Sequence, residues 1–424
     1  MDYVITEFGA RMCDRPQTEA IQRAIDTCFL AGGGRVVIPA GIFLTGGLRL
    51  RSNVELHLQS GAILSGSMDP EDYCGYYDDP LEPIVYSKQP PEGVSLSAWP
   101  CTRWNNAMIR AIDAKNIAIT GEPGSYINGN NCFDSQGEEQ YRGPHAINMW
   151  YCENLRFDGY TVTDSANWAH AIFSSKNITA TNLLVLGGHD GFDVRTCDNV
   201  RIENCCFRTG DDCVAGFDNN NVVVRNCELD CACSFLRFGG NHVLVENCHG
   251  HVPSSYGFRG SLTREKKAAS APTDEACRHS AHTPFLYYCD FRAKIRKTPG
   301  DILIRNCVFE NPDSMFMLQF DGEHKWCCNR SLSSITFENC TITGVREPAW
   351  ICGDVNEPLD MVLKNVVISP AEGMEAMPVM DVKNFKRIRM ENVTLERYRD
   401  PHILCRSSGS IEQVDSTPVE VRKV

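Results

Sequence analysis

NVRIENC at residues 199–205, NVVVRNC at 221–227 and HVLVENC at 242–248 are one phrase written three times. In each, apolar residues alternate with others and the run ends on Asn-Cys, at Asn204, Asn226 and Asn247. NITATN precedes them, ending at Asn182, so the successive spacings are 22, 22 and 21 residues. The phrase returns as DILIRNC at Asn306, SITFENC at Asn339, MVLKN at Asn365 and RIRMEN at Asn392, while NLRFDG at 154–159 extends it toward the N-terminus. Short alternating strands at this period, with no helix between them and a turn-type residue at a fixed place, predict an all-β parallel β-helix, or β-solenoid. Each rung buries its alternate side chains against the next. Cys205, Cys227, Cys248, Cys307 and Cys340 then stack in one column at the ~4.8 Å strand spacing, as small buried hydrophobes. The further pairs Cys231/Cys233 and Cys327/Cys328 lack a second cluster at zinc-ligand spacing, so no metal site is expected. The asparagine column reads as a side-chain amide ladder in a turn. That places the NIT, NRS, NCT and NVT triplets in the scaffold rather than at glycosylation sites.

Working outward, all 424 residues are expected to form a single β-helix domain. A solenoid end exposes its core and needs a cap. Within 1–50, Ala20, Ile21, Ala24, Ile25, Cys28 and Phe29 recur at helical spacing and Gly32 to Gly34 end the run, giving a short N-terminal capping helix ahead of the first strands. Two segments break the rhythm, 69–105 and 252–300, and are read as decorating loops on one side of the scaffold. Long ordered loops on a rigid frame commonly build a binding site.

With 54 acidic against 41 basic residues the chain carries a net charge of −13, which argues against a sequence-independent hold on nucleic acid or on an anionic membrane. The sequence has no apolar run of the ~20 residues that would span a bilayer. MDYVITEFGARMCDRPQ opens on an alternating run without the basic and apolar regions of a secretory signal, so a cytoplasmic location is expected. The 22 cysteines are then free thiols. Nothing in the sequence sets the oligomeric state, and no cofactor is implied.

Two acidic clusters flank NVRIENC: His189-Asp190-Gly191-Phe192-Asp193 before it and Thr209-Gly210-Asp211-Asp212 after it. Asp190 and Asp212 are 22 residues apart, one rung, so they should share a face of adjacent strands with Asp211 beside them. Carboxylates crowded in this way cannot all ionise easily, and at least one pKa should rise. A protonated acid beside a base able to hold water is what cleavage of a glycosidic bond requires. Asp193 reads equally as a turn residue.

HDGFD followed one rung later by TGDDCVA closely resembles the paired motifs of glycoside hydrolase family 28, the polygalacturonases and their relatives. The opening from ITEFGA through RSNVELHL is also similar to the N-terminal region of the family's bacterial members. The resemblance implies a right-handed helix and hydrolysis with inversion at the anomeric carbon. It makes Asp211 the general acid and Asp190 and Asp212 the pair that activates water. Side chains stacked on adjacent rungs lie closer than the roughly 6.5–9.5 Å usual for inverting carboxylates, so geometry by itself favours retention, and inversion rests on the resemblance.

The next rung departs from the family. CACSFLRFGG puts Ser234 where the family has the His of a Gly-His-Gly, with Cys233 and Phe235 in place of the glycines. The family's Arg-x-Lys, whose charges hold a sugar carboxylate, has two candidates: Arg259 in YGFRGS, where Ser261 replaces the Lys, or Arg292 and Lys294 in FRAKIRK. Arg237, an added cation, either pairs with Asp193 or another site aspartate or binds an acidic sugar. Subtracting 23 from Asp190 reaches Asn167, so Asn167, Trp168 and His170 should border the carboxylates together with His189, with Trp168 either stacking on a sugar or packed in the core. The leading expectation is an exo-acting glycosidase trimming oligosaccharides other than polygalacturonate. A non-catalytic carbohydrate-binding β-helix and a polysaccharide lyase are the alternatives.

Overall fold

The computed structural model describes residues 1–74, 79, 81–137, 142–258, 278–289, 295–320 and 330–424. Among these, strands wind into two hydrogen-bonded sheets of 25 and 12 members, every pairing parallel, making a β-helix with three faces. The larger sheet contains two of the faces because two strands, Val214–Arg225 and Ser234–Glu246, run unbroken through the corner between them. The expected right-handed parallel β-helix is the fold.

Register is what makes the core. Val200, Val222, Val243, Ile302, Ile335, Met361 and Ile388 pair in succession, one per rung, and all are buried. The interior is therefore a set of apolar columns running along the helix, closed at the N-terminal end by α1 (Thr18–Leu30). Ala20, Ile21, Ala24, Ile25 and Cys28 are buried against the first rungs as expected, and Phe29 is half-buried beside them. Toward the opposite end the strand Glu420–Lys423 is exposed throughout and charged at three of its four residues.

The corners explain the asparagines. Asn204, Asn226, Asn247, Asn306, Asn339, Asn365 and Asn392 all adopt left-handed φ between 52° and 56°, which asparagine tolerates better than other residues carrying a Cβ. Their amides donate rung to rung, Asn226 to Asn204 at 3.1 Å, Asn247 to Asn226 at 3.2 Å and Asn365 to Asn339 at 2.8 Å. A second ladder that the sequence reading did not separate from the first runs through Asn53, Asn116, Asn154, Asn177, Asn199 and Asn221, with amide contacts of 2.8–2.9 Å. Cys205, Cys227, Cys248, Cys307 and Cys340 occupy one buried column of free thiols.

The outer surface of the first face carries the candidate site. Its strands are β1 (Ala107–Ile112), β2 (His145–Trp150), β3 (His170–Phe173), β4 (Phe192–Arg195), β5 (Val214–Arg225), β6 (Ser234–Glu246) and β7 (Thr283–Tyr287). The 69–105 segment lies over this face, burying Cys101 and Trp104 against Ile112, Trp150, Trp168 and Phe173. Tyr86 stacks on Tyr151 at 5.3 Å and meets Trp99 edge-on. The 252–300 segment is not purely a loop: β7 lies within it and pairs with β6 as the next rung.

Replacing Asn226 by Ala removes one donated and one accepted amide bond, each worth about 1 kcal/mol net, and puts a residue with no polar side chain in a left-handed corner at about 1–2 kcal/mol. The variant is expected to fold but to denature in urea at a clearly lower concentration, whereas Asn226→Gly should lose less.

Candidate active site

Asp190 and Asp212 stand two residues ahead of β4 and β5, whose first residues Phe192 and Val214 pair directly. The two aspartates are therefore level on adjacent rungs, and each is held by the next rung's backbone. Asp212 donates its N–H to Asp190 Oδ1 at 3.3 Å, and Ser234 donates its N–H to Asp212 Oδ1 at 3.0 Å. Asp211 is turned beside them, with the Thr209 hydroxyl donating to its carbonyl at 2.9 Å. The glycines of the two motifs are steric necessities. A Cβ on Gly191 would lie 2.6 Å from the Phe207 ring, and one on Gly210 would lie 2.3 Å from the Gly257 carbonyl and 2.7 Å from that of Gly188.

Asp190 and Asp212 are buried, and Asp211 is 7% exposed, the opening through which the site meets solvent. Arg237 enters from β6: its Nε donates to Asp212 Oδ2 at 2.5 Å and its Nη2 lies 3.6 Å from Asp190 Oδ2, while its guanidinium sits 4.4 Å from the centre of the Tyr288 ring. Asp193, facing outward on β4, is held by its own cation, accepting from Arg195 at 2.8 and 3.0 Å, and Arg195 lies 4.4 Å over the Trp168 ring. Asp193 is thus a partner of Arg195, and Arg237 pairs with the other cluster. Burial, followed by the Asp211 and Asp212 charges, raises the Asp190 pKa well above its usual value despite Arg237. Burial also lifts Asp212 to about 6 against the pull of Arg237. The site holds on to a proton, as the crowding of its carboxylates predicts.

The other expected site residues separate into three groups. Ser234, whose N–H binds Asp212, and Asn167 are both buried, and neither the Ser234 hydroxyl nor the Asn167 side-chain amide makes a hydrogen bond among the described residues. His189 is buried next to Asp190 in the chain. Trp168, not Asn167, is level with Asp190, because His170 pairs with Phe192 at an offset of 22 and Ala169 donates to the Asp190 carbonyl at 2.9 Å. Trp168 is 4% exposed, packed edge-on against Trp104 at 4.8 Å, so it is a wall under the 69–105 segment rather than an open stacking platform. His170 does not border the carboxylates: it points into the core, stacked on Phe192 at 4.8 Å and bonded to Tyr160 at 2.9 Å. The reason is that Trp168 and Asp190 precede their strands, and in–out alternation restarts at His170 and Phe192. Arg259, Arg292 and Lys294, and the pair Cys327/Cys328, lie outside the described residues.

Several participants had no signal in the sequence. Tyr288 comes from the far side of the 252–300 segment to support Arg237. Arg278 bonds to the Ala232 carbonyl at 2.9 Å and contributes positive potential at Cys233. Buried His145 lies against Trp104 and Trp168 and is kept neutral, first by burial and then by the charge of Arg142. Asp211, Asp212 and Cys233 bring possible metal-ligand atoms within 4.8 Å of one another. Burial, followed by the Asp212 and Asp211 charges, raises the Cys233 thiol pKa well above its usual value, and the cluster already has the Arg237 guanidinium as counter-ion.

Residues 93–233 match the model of glycosyl hydrolases family 28, and the match ends one residue short of Ser234. A probable polygalacturonase of Vitis vinifera is 29% identical over 205 residues, 45% of this chain and 39% of that protein. An exo-poly-alpha-D-galacturonosidase of Dickeya chrysanthemi is 24% identical over 250 residues, 50% of this chain and 41% of its own length. The chain thus spans about two fifths of the length of these relatives. The hyperthermoactive exopolygalacturonase of Thermotoga maritima has the same fold, with TM-score 0.69 at 20% identity over 93% of this chain and 91% of that one.

Because the folded-state pKa of Asp190 is raised, the stability that its protonated form provides is complete below the usual value of 3.8 and is lost as pH rises through the elevated value. Asp190→Asn is expected to match the wild type in melting temperature at acid pH and to exceed it increasingly toward neutrality, by about 1.4 kcal/mol for each unit of elevation. Thermal melts of both proteins across pH measure the difference.

Proposed function

Taking the chain as polygalacturonase-like, with glycosyl hydrolase family 28 sequence over residues 93–233, we propose that it hydrolyses a glycosidic bond of an oligosaccharide with inversion. Asp211 donates a proton to the leaving oxygen. Asp190 and Asp212 hold the attacking water on the other side of the anomeric carbon. The observation that carries this reading is the charge balance of the cluster: three carboxylates share one guanidinium, so one proton remains available to an acid while the others act as base. Asp211 has the solvent-facing position that a proton donor to a bound sugar needs.

Exo action is supported by the 69–105 segment, which packs over β1 to β3 and covers the first face up to Trp168, level with Asp190. A long polymer has no path along the helix on that side, whereas a chain end fits. The substrate we favour is a short oligosaccharide whose terminal sugar is recognised through hydroxyl groups. Arg195 and Arg237 are engaged by aspartates, while the buried Asn167 amide and Ser234 hydroxyl are neutral groups left to be matched by a ligand. The column of buried thiols is in keeping with a reducing, cytoplasmic location.

Incubation with a panel of oligosaccharides differing in terminal sugar, read by NMR at the first turnover, is expected to show a single terminal sugar released in the anomeric form opposite to the bond cleaved. Release of the same anomer would overturn inversion, and an unsaturated product absorbing in the ultraviolet would make the protein a lyase. Asp211→Asn should lose at least about 100-fold in kcat on natural linkages and much less on an aryl glycoside whose leaving group needs no protonation. Undiminished turnover of the natural substrate by Asp211→Asn would remove the assignment.

A further inference from the structure

We propose that Arg237 is a positioning residue which braces the water-activating pair from the rung beyond it, bridging Asp212 and Asp190, and leaves recognition of the sugar to other groups. The inference rests on the assignment of Asp190 and Asp212 as that pair.

The path of the side chain is set by register. On the outer face Asp193, Ala215 and Arg237 are paired in succession on β4, β5 and β6. Ala215 is buried directly between the other two, and its single methyl leaves the room through which Arg237 turns back toward the earlier rungs. It reaches Asp212, one rung away, with Nε and comes within 3.6 Å of Asp190, two rungs away, with Nη2. A planar fork presents its N–H groups to the two carboxylates from separate nitrogens in fixed directions, whereas the three donors of a lysine radiate from a single nitrogen. The guanidinium carbon lies over the Tyr288 ring, contributed from just beyond β7, 4.4 Å from its centre.

The two carboxylates are held unequally. Asp212 is fixed at both oxygens, Oδ1 by the Ser234 N–H and Oδ2 by Arg237. Asp190 is fixed at Oδ1 by the Asp212 N–H, but its Oδ2 makes no hydrogen bond, since 3.6 Å to Nη2 is an ionic contact only. That oxygen is the one available to bind water, and the cation beside it opposes the burial and carboxylate charges that raise the Asp190 pKa. The remaining charged and titratable groups facing this arrangement are Asp211 ahead of β5, the Asp193–Arg195 pair on β4, Cys233 ahead of β6, Tyr288 itself and Arg278. Of these, the cations Arg195 and Arg278 are directed elsewhere, to Asp193 and to the Ala232 carbonyl. Arg237 also stands three residues after Ser234, in a rung beyond the family match over residues 93–233.

The test needs no substrate at first. With aspartate labelled by 13C at the side-chain carboxyl and assigned through Asp190→Asn and Asp212→Asn, the Asp212 signal is expected to titrate near 6 in the wild type. In Arg237→Met it should move up by at least about one unit, and in Arg237→Lys by less. An unchanged titration in Arg237→Met overturns the proposal. Should that variant fail to fold, Ala215→Val, which keeps the cation but narrows its path, is expected to give an upward shift of the same sign, and no shift there also counts against it. With the substrate found in the panel, Arg237→Lys should lower kcat about 100-fold, the scale expected when a reacting group is displaced by an ångström. KM should stay within about twofold, and the acid limb of the pH profile should shift to higher pH. A rise in KM with kcat preserved would make Arg237 a sugar-binding residue instead. Asp211→Asn run alongside separates the two readings: turnover persisting there refutes the hydrolase assignment, whereas its loss with Arg237→Lys affecting only KM refutes the brace alone.

Discussion

In-register parallel stacking is the constraint on which everything else in this protein depends. A rung contributes little by itself, because its inward side chains are covered only when the same positions of the neighbouring rungs lie directly above and below them. The left-handed asparagine corners enforce that match. Each fixes the point at which the chain turns, and each is tied by its amide to the corresponding corner of the next rung. The valine, isoleucine and cysteine columns follow from the same register, and so does the placing of Asp190 level with Asp212.

The candidate site uses the register differently from the core. In the core, repetition of like residues is favourable, since apolar groups gain by contact. Outside, repetition of like charge is unfavourable, and the protein keeps two aspartates in one column only by burying them with a guanidinium and binding each to the backbone N–H of the next rung. The proposed chemistry draws on that arrangement: burial and crowding favour retention of a proton that a fully solvated cluster would release. Beneath the motifs, Gly191 and Gly210 allow backbone and ring to approach where no other residue has room.

What could be read in the sequence was whatever repeats. The strand phrase, the asparagine and cysteine columns, the capping helix and the one-rung spacing of the aspartates are all periodic signals. Trp168 and His170 were placed less well because local rung length varies. The step from β2 to β3 is 23 residues and that from β3 to β4 is 22, so a count taken from the wrong rung lands one residue away, on Asn167. The inward turn of His170 was hidden for a related reason, since alternation holds within a strand and not across the turn that precedes it. Tyr288 and Arg278 were out of reach altogether. They arrive from the irregular 252–300 segment, where no period constrains what lies next to what, and their contacts to Arg237 and Ala232 exist only through the fold.

The direct pairing of Val243 with Ile302, across 59 residues of chain, shows that the frame closes over a long excursion as readily as over a short turn. Such a scaffold separates inheritance from innovation. Rows of the frame can stay as they are while a neighbouring row is rewritten or an excursion grows, because each row answers only to the two beside it. The family match over residues 93–233 stops directly before the strand that carries Ser234 and Arg237, and in such a frame those two rows are free to differ in how closely they follow a pattern.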